Sequence, residues 1–206
     1  MTSRPIDAEL LTGEALYQRV VLDKLAHARE SVRIATANVK AMLVEVDAGD
    51  FRPVADLFAR LAQRGVDVRL LHAELPSRPF RAAFDRHRVL THGGMTLKIC
   101  PRVHFKAVLV DSAWLYVGSA NLTGAGLGAK HPDARNFELG FVTEDFDTID
   151  RVSALFDSVW TGQDCRSCRL YDVCPDPIGP RPKKLKKARA RRGGDVVLGR
   201  PRRLAR

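Results

Sequence analysis

Apolar residues recur at helical spacing in four segments of the chain, and between these segments they form short runs or alternate with polar residues. In the segment 51–64, for example, apolar positions follow Val54 at i+3, i+4 and i+7, and Gly65 comes next, where a helix would end. This period predicts an amphipathic helix. Helices are predicted at 13–29, 51–64, 79–88 and from 146 to about 160, and strands at 31–38, 66–72, 95–100, 104–111, 114–117 and 137–143.

The order of these elements predicts an α/β fold. The strand 31–38, the helix 51–64 and the strand 66–72 follow one another closely, which is typical of a parallel unit with a right-handed crossover. The strands 104–111 and 114–117 are close enough to pair as a hairpin. We therefore predict a mixed, largely parallel sheet flanked by helices, in which the last strand is buried.

Three parts of the chain differ in composition. A globular domain is predicted for residues 1–162, followed by a cysteine-rich segment at 163–178 and a basic tail at 179–206. The chain is 45% hydrophobic and 28% charged, as globular proteins are, and no apolar run is long enough to cross a bilayer. Because Asp7 and Glu9 interrupt the stretch that a secretory signal would need, a cytoplasmic protein is expected.

The net charge of +10 is concentrated in the tail. Residues 181–206 contain 12 of the 34 Lys and Arg residues and one acid, Asp195, which leaves 22 basic and 23 acidic residues in the rest of the chain. With so little to bury, the tail is expected to be disordered by itself. A polycation binds nucleic acid with little dependence on sequence, although it also suits an anionic lipid surface. The tail therefore favours nucleic acid as the partner.

One short pattern carries residues suited to phosphodiester chemistry. An imidazole and an ammonium two positions apart on a strand face the same way. The imidazole can attack phosphorus or transfer a proton near neutral pH, while the ammonium neutralises charge on the phosphoryl oxygens. The pattern H-x-K-x4-D-x6-G-S-x-N is formed by His104, Lys106, Asp111, Gly118, Ser119 and Asn121.

This pattern resembles the HKD signature of the phospholipase D superfamily. The resemblance implies that His104 forms a covalent bond to phosphorus and that Lys106 neutralises the phosphate. It implies that Ser119 and Asn121 donate hydrogen bonds to further phosphate oxygens, so that hydrolysis requires no metal. Asp111 is more structural than catalytic in this superfamily.

A second resemblance concerns the downstream residues Asn136-Phe137-Glu138. They are similar to the Asn-x-Glu sequence of the small endonucleases of this superfamily. The resemblance implies that the carboxylate of Glu138 accepts a hydrogen bond from the catalytic histidine, which would fix the histidine tautomer and raise its basicity.

The pattern occurs once, whereas superfamily members bring two copies face to face. Single-motif endonucleases of the superfamily meet this requirement as homodimers, so a C2 homodimer that joins two copies of His104 is expected. The remaining histidines lack a lysine two residues later and are expected to be structural or exposed. They are His27, His72, His87, His92 and His131.

The four cysteines suggest a metal centre. Cys165, Cys168 and Cys174 form C-x2-C-x5-C followed by proline, and Cys100 lies apart. A reducing compartment favours thiolate ligands over disulfides. The clustered cysteines resemble those of iron-sulfur RecB-type nucleases, which implies a 4Fe-4S cluster with Cys100 as the fourth ligand. Zinc and free thiols remain alternatives.

Together these features predict a metal-independent phosphodiesterase that cleaves nucleic acid as a homodimer in DNA processing or repair, with DNA favoured over RNA as the substrate. Two other functions are compatible with the sequence. One is a nucleic-acid-binding module that keeps the fold but has little catalytic activity, and the other is a lipid phosphodiesterase, since lipids also contain phosphodiesters.

Overall fold

The computed structural model describes residues 4–180. Apart from residues 179 and 180, the tail expected to be disordered lies outside this range. The strands are β1 (Glu9–Thr12), β2 (Ser31–Thr36), β3 (Leu43–Asp47), β4 (Asp50–Pro53), β5 (Asp67–His72), β6 (Met95–Ile99), β7 (Lys106–Val110), β8 (Trp114–Gly118) and β9 (Leu139–Thr143). The helices are α1 (Glu14–Leu16, continuing as a π-helix at Tyr17–Lys24 and a 3-10 turn at Leu25–His27), α2 (Val54–Gln63), α3 (Arg78–Asp85) and α4 (Phe146–Trp160).

Seven strands form one sheet in the order β1-β9-β8-β7-β2-β5-β6. β2, β5 and β6 run parallel, whereas β7 pairs antiparallel with β2, and β8, β9 and β1 continue the antiparallel pairing. The predicted mixed α/β sheet flanked by helices is confirmed. Antiparallel pairs nevertheless outnumber parallel pairs among the described strands, in part because the tight turn between β7 and β8 permits only antiparallel pairing.

The helix predicted from residue 51 begins at Val54, because the preceding residues form a separate hairpin. β4 pairs with β3 in antiparallel register. A residue that precedes proline is disfavoured in the α conformation, which keeps Arg52 extended, and Pro53 itself has a ψ of 142°. The prediction of helix at 51–53 is therefore wrong. The alternation over residues 44–47 and Gly49 at the turn were the available sequence signal for this hairpin, but an alternation of four residues is short.

Helices cover both faces of the sheet. On one face the main core forms beneath α1, α2 and α3, where Leu16, Phe58 and Phe80 are buried. On the other face α4 packs through Ile149 and Phe156. Within residues 4–180, no helix combines the length and apolar character that crossing a membrane requires.

The strand β9 is half exposed, so the prediction that it is buried is wrong. Gly140 and Val142 face the main core, whereas Leu139 and Phe141 are 52% and 51% exposed. The reason is the position of α4, which packs over β7 and β8 and leaves the outer strands uncovered on that face. Phe137 precedes the strand and is fully exposed.

Candidate active site

Most of the predicted site residues lie at or beside one end of the sheet. The carboxyl ends of the parallel strands β2 and β5 are found there. The start of β7 lies at the same end because Ala107 pairs with Ala35 of β2, and the end of β8 lies there because Gly118 pairs with Lys106. In open α/β sheets, the loops at the carboxyl ends of parallel strands form binding sites. The residues at this end are His104, Lys106, Ser119, Asn121 and Glu138.

His104 and Lys106 form the centre of the site. Val103 is buried in the same apolar cluster as Ala35 and anchors the turn that precedes His104. The Lys106 Nζ atom donates to the main-chain oxygen of His104 at 2.8 Å, and it lies 3.4 Å from the imidazole Nδ1 atom. Although β7 begins at Lys106 and not at His104 as predicted, the two side chains are adjacent. The imidazole is exposed, so a phosphate can reach both groups at once.

Ser119 and Glu138 are held together across the ends of β8 and β9. The main-chain nitrogen of Ser119 donates to the Leu139 oxygen at 2.9 Å, and the Ser119 hydroxyl accepts from the Leu139 nitrogen at 3.1 Å. This hydroxyl in turn donates to the Glu138 carboxylate. Its proton is therefore engaged by Glu138, whereas the sequence predicted that it binds a phosphate oxygen.

The Glu138 carboxylate bonds to partners other than His104. Besides Ser119, it accepts from the Asn136 side-chain nitrogen at 3.1 Å. The expected bond from His104 does not form within the described chain, because the His104 side chain is instead beside Lys106. Glu138 thus orients Ser119 in this structure, and the acid lies in the loop before β9.

The Asn121 side chain has a fixed orientation. Its Oδ1 atom accepts from the Thr36 hydroxyl at 3.1 Å and from the main-chain nitrogens of Ala37 and Asn38, each at 3.2 Å. Two main-chain donors identify this end of the amide as the oxygen. The Nδ2 group has no bond within residues 4–180, which leaves it available to an anionic ligand, as the sequence predicts.

Asp111 does not belong to this site. It follows β7 at the end remote from Lys106, and its carboxylate accepts from the main-chain nitrogens of Arg29, Glu30 and Ser31 at 2.8–3.1 Å. Burial favours a higher pKa for Asp111, but the three main-chain donors outweigh burial, and the pKa of Asp111 is lowered. Its role is to fix the turn before β2.

Tyr116 lies beneath the site and was missed by the sequence reasoning. A Cβ atom on Gly118 or Gly140 would collide with its ring, so both glycines make room for it. The hydroxyl is buried beside the main chain of Ala120 and makes no well-formed hydrogen bond in the described chain. Burial raises the pKa of Tyr116 to about 12 although the Ala120 main chain favours a lower pKa, and the charge of Glu138 raises it further. In the sequence, Gly118 two positions after Tyr116 was the available signal.

The other histidines have local partners away from His104. The ring nitrogens of His27, His72 and His92 bond to main-chain oxygens within five residues. Those of His87 and His131 bond to the carboxylates of Asp56 and Asp133. Within the described chain, His104 is the histidine that is paired with a lysine.

The sequence of the chain matches a known protein family. Residues 21–160 match the family model described as "Cardiolipin synthase, PLD-like domain". The chain therefore belongs to the phospholipase D-like family. No curated protein matches its sequence significantly.

Solved structures share the fold. A phospholipase D family member, Nuc from Salmonella typhimurium, is 19% identical with a TM-score of 0.55, and the match covers 84% of this chain and all of that one. NucT from Helicobacter pylori is 17% identical with a TM-score of 0.52, covering 76% and 96% of the two chains. TrmBL2, an archaeal chromatin protein, is 14% identical with a TM-score of 0.51, covering 74% of this chain and 52% of that one.

Proposed function

We propose that this chain is a metal-independent phosphodiesterase that cleaves nucleic acid through a phosphohistidine intermediate. The observation that carries the proposal is the pair of His104 and Lys106, in which an exposed imidazole lies 3.4 Å from an ammonium group. The Nδ2 group of Asn121 adds a second donor at the same end of the sheet. Lys106 supplies the positive charge that a phosphodiester needs in the transition state, and Asn121 adds a neutral hydrogen-bond donor.

The reaction has two steps. The His104 imidazole attacks phosphorus, a P–N bond forms and a P–O bond breaks, and the leaving oxygen takes a proton from a second imidazole. Water then attacks phosphorus, gives its proton to that second imidazole, and breaks the P–N bond. Lys106 stabilises the charge on the phosphoryl oxygens in both steps.

A second copy of the chain supplies the second imidazole. Leu10, Phe141 and Val117 pair directly across β1, β9 and β8 and form one exposed row, which we call the apolar row. Their exposed fractions are 57%, 51% and 39%. Exposed apolar patches mark interaction surfaces. Because Val117 lies two residues before Ser119, a homodimer formed over the apolar row would bring two sites together.

Nucleic acid is the proposed substrate, with DNA preferred over RNA and a role in DNA processing or repair. The basic residues at 181–206 suit a phosphate backbone. One similar structure, TrmBL2, is described as having a novel mode of DNA binding. The family description names cardiolipin synthase, which favours a lipid phosphodiester as the second candidate substrate.

The test is cleavage of labelled single-stranded and duplex DNA and RNA in excess chelator. We expect the wild-type chain to cleave DNA and the His104→Ala variant to be inactive. The control is His92→Ala, which removes an exposed histidine bonded to the Arg88 oxygen, remote from the site. Anionic phospholipid vesicles form a parallel arm. Binding of DNA without cleavage would favour the non-catalytic module, and lipid hydrolysis alone would favour the lipid enzyme.

A further inference from the structure

An open cavity lies beside β6, the last strand of the sheet. Its volume is about 870 Å³, which is within the usual range for sites that bind small molecules. It is lined by α3, by Leu97 and Ile99 of β6, and by two residues of the segment that follows α4, Pro175 and Asp176. His72 also lines it and pairs with Ile99 at the carboxyl ends of β5 and β6. The cavity therefore reaches the same end of the sheet as the candidate active site.

The segment after α4 is attached to β6 at this cavity. The Ile99 nitrogen donates to the Asp176 carboxylate at 3.4 Å, and the Lys98 Nζ atom donates to the Trp160 oxygen at 2.7 Å. Among residues 4–180, no three histidine, cysteine or acidic side chains are grouped closely enough to hold a metal ion. The metal centre expected at the four cysteines therefore stays a prediction. These partly buried residues are Cys100, Cys165, Cys168 and Cys174.

His72 brings an unpaired hydrogen-bond acceptor to the cavity. The residue is 1% exposed, and its Nδ1 atom lies 2.7 Å from the main-chain oxygen of Glu74. Because a carbonyl oxygen can only accept, Nδ1 carries the hydrogen, and burial lowers the pKa of His72 so that the ring stays neutral. The Nε2 atom is then an acceptor, and it has no partner within residues 4–180. A buried acceptor costs free energy until a donor reaches it.

Two arginines provide positive charge in the same cavity. Arg78 and Arg81 are three residues apart on α3, so their side chains are neighbours. Both are exposed, and neither forms an ion pair within the described part of the chain. Two carboxylates, Asp85 and Asp176, also line the cavity. The cavity thus offers cations to an anionic group, and acceptors at His72 and Asp176 to a group that donates hydrogen bonds.

We propose that this cavity binds one nucleotide of the substrate strand, with its phosphate on Arg78 and Arg81 and the amino group of its base on His72. This inference rests on the proposed function, because the nucleotide belongs to the strand that is cleaved. Leu97 and Ile99 provide apolar surface for the face of the base. Adenine, cytosine and guanine carry an amino group and thymine does not, so the cavity should disfavour thymine.

A short length of chain joins the cavity to the candidate active site. The main-chain oxygen of His72 accepts from the Cys100 nitrogen at 2.8 Å, and His104 follows four residues later. Four residues span at most about 14 Å. A strand whose phosphate lies at His104 can therefore reach the cavity within a few nucleotides. Binding of the base would hold the strand in place for cleavage, and the cavity residues would be positioning residues that take no part in the chemical steps.

The experiment measures binding, so that it does not depend on cleavage. The full chain carrying His104→Ala is titrated with labelled oligodeoxycytidylate and oligothymidylate of equal length, and binding is followed by fluorescence anisotropy. We expect the cytosine strand to bind about three- to tenfold more tightly, as one additional hydrogen bond allows. Free deoxycytidine monophosphate should compete weakly, because it lacks the contacts of the remaining strand. Tight binding of the free nucleotide with no preference between the strands would overturn the proposal.

Two substitutions of His72 test the contact with the base. His72→Asn keeps a donor close to the Glu74 oxygen but has no atom at the position of Nε2, and the preference for cytosine should be lost. His72→Gln is the matched control, because its longer side chain can place an amide oxygen near that position, and it should keep part of the preference. A preference that survives in full in His72→Asn would overturn the proposal.

A double substitution tests the contact with the phosphate. Arg78→Ala with Arg81→Ala should weaken binding of both strands equally. It should also reduce the slope of log K against log salt by about 1.4, the value for two phosphate contacts with a single strand. The control is Arg86→Ala with Arg88→Ala, which removes the same charge from exposed arginines outside the cavity and should leave the slope unchanged. An unchanged slope in the first variant would overturn the proposal.

The failure of this inference can be distinguished from the failure of the proposed function. If His72→Asn does not fold, the comparison of the two strands and the arginine variants decide without it. Cleavage of DNA by the wild type, together with equal binding of the two strands, would overturn this inference alone. The absence of any binding to DNA would overturn both the inference and the proposed function.

Discussion

Asp111 and Lys106 belong to one sequence motif, yet they stand at opposite ends of β7. Asp111 accepts from three main-chain nitrogens at the start of β2, whereas Lys106 faces His104. The motif therefore combines a residue that fixes the fold with residues that carry chemistry, and substitutions at the two positions should be separable by experiment.

Replacing Asp111 should affect stability and not the chemical step. We expect Asp111→Ala to lower the free energy of unfolding by about 2–3 kcal/mol, since bonds to a charged acceptor are lost and main-chain donors are left unpaired. Asp111→Asn should cost less, because asparagine keeps an acceptor and tolerates the positive φ of 52°. Urea unfolding and kcat of the folded fraction measure the two effects. A large fall in kcat with unchanged stability would show that Asp111 is catalytic.

Replacing Lys106 should affect the chemical step and leave the stability of the fold almost unchanged. We expect Lys106→Ala to lower kcat by about 10²–10³-fold, the loss typical of one transition-state donor. Stability should change by about 0.5 kcal/mol or less, because the Lys106 amine bonds to the exposed His104. Lys106→Arg keeps the charge and should recover part of the activity. Equal activity of the alanine variant and the wild type would remove Lys106 from the mechanism.

A charge placed in the apolar row should separate the proposed dimer. Phe141→Glu would bury a carboxylate in the interface, and we expect the dimer dissociation constant to rise at least tenfold, a cost of about 1.4 kcal/mol or more. Activity should fall with the dimer fraction. Phe146→Glu is the control, because Phe146 is 74% exposed at the start of α4, remote from His104. Sedimentation velocity gives the dimer fraction of both variants and a DNA cleavage assay gives their activity, and an active Phe141→Glu monomer would rule out the shared site.

Acid should destabilise the fold through His72. Burial lowers the pKa of His72 from its usual 6.5, so the folded chain keeps this ring neutral. Below pH 6.5 the unfolded chain binds a proton that the folded chain does not, and stability therefore falls until the folded pKa is reached. In His72→Gln this part of the pH dependence should disappear, whereas His92→Gln should retain it. Urea titrations between pH 7 and pH 5 provide the measurement, and an unchanged slope in His72→Gln would assign the effect to another group.

The sequence predicted the elements whose apolar periods are long. α4 and the β2-α2-β5 unit were recognised because their apolar residues recur at regular spacing over several helical turns or along a whole strand. The pair of His104 and Lys106 was also recognised, since two residues separated by one position need no long-range information to be neighbours.

The remaining features depend on contacts between distant residues. The bond of Ser119 to Glu138 follows from the register of β8 and β9, which no local pattern encodes. Phe141 is exposed because α4 packs over β7 and β8 and does not reach β9. The β3-β4 hairpin has short strands, and its indications in the sequence were the alternation over residues 44–47, Gly49 at the turn and the effect of Pro53 on the residue before it.

In the proposed mechanism, His104 becomes covalently bound to phosphorus. The most direct measurement mixes the full chain with a labelled DNA oligonucleotide in excess chelator, stops the reaction in denaturant under alkaline conditions, and maps the label by mass spectrometry. We expect a phosphoryl adduct on His104 that is absent from His104→Ala and present in His92→Ala. Cleavage without any adduct, and with His104→Ala as active as the wild type, would contradict the proposed mechanism.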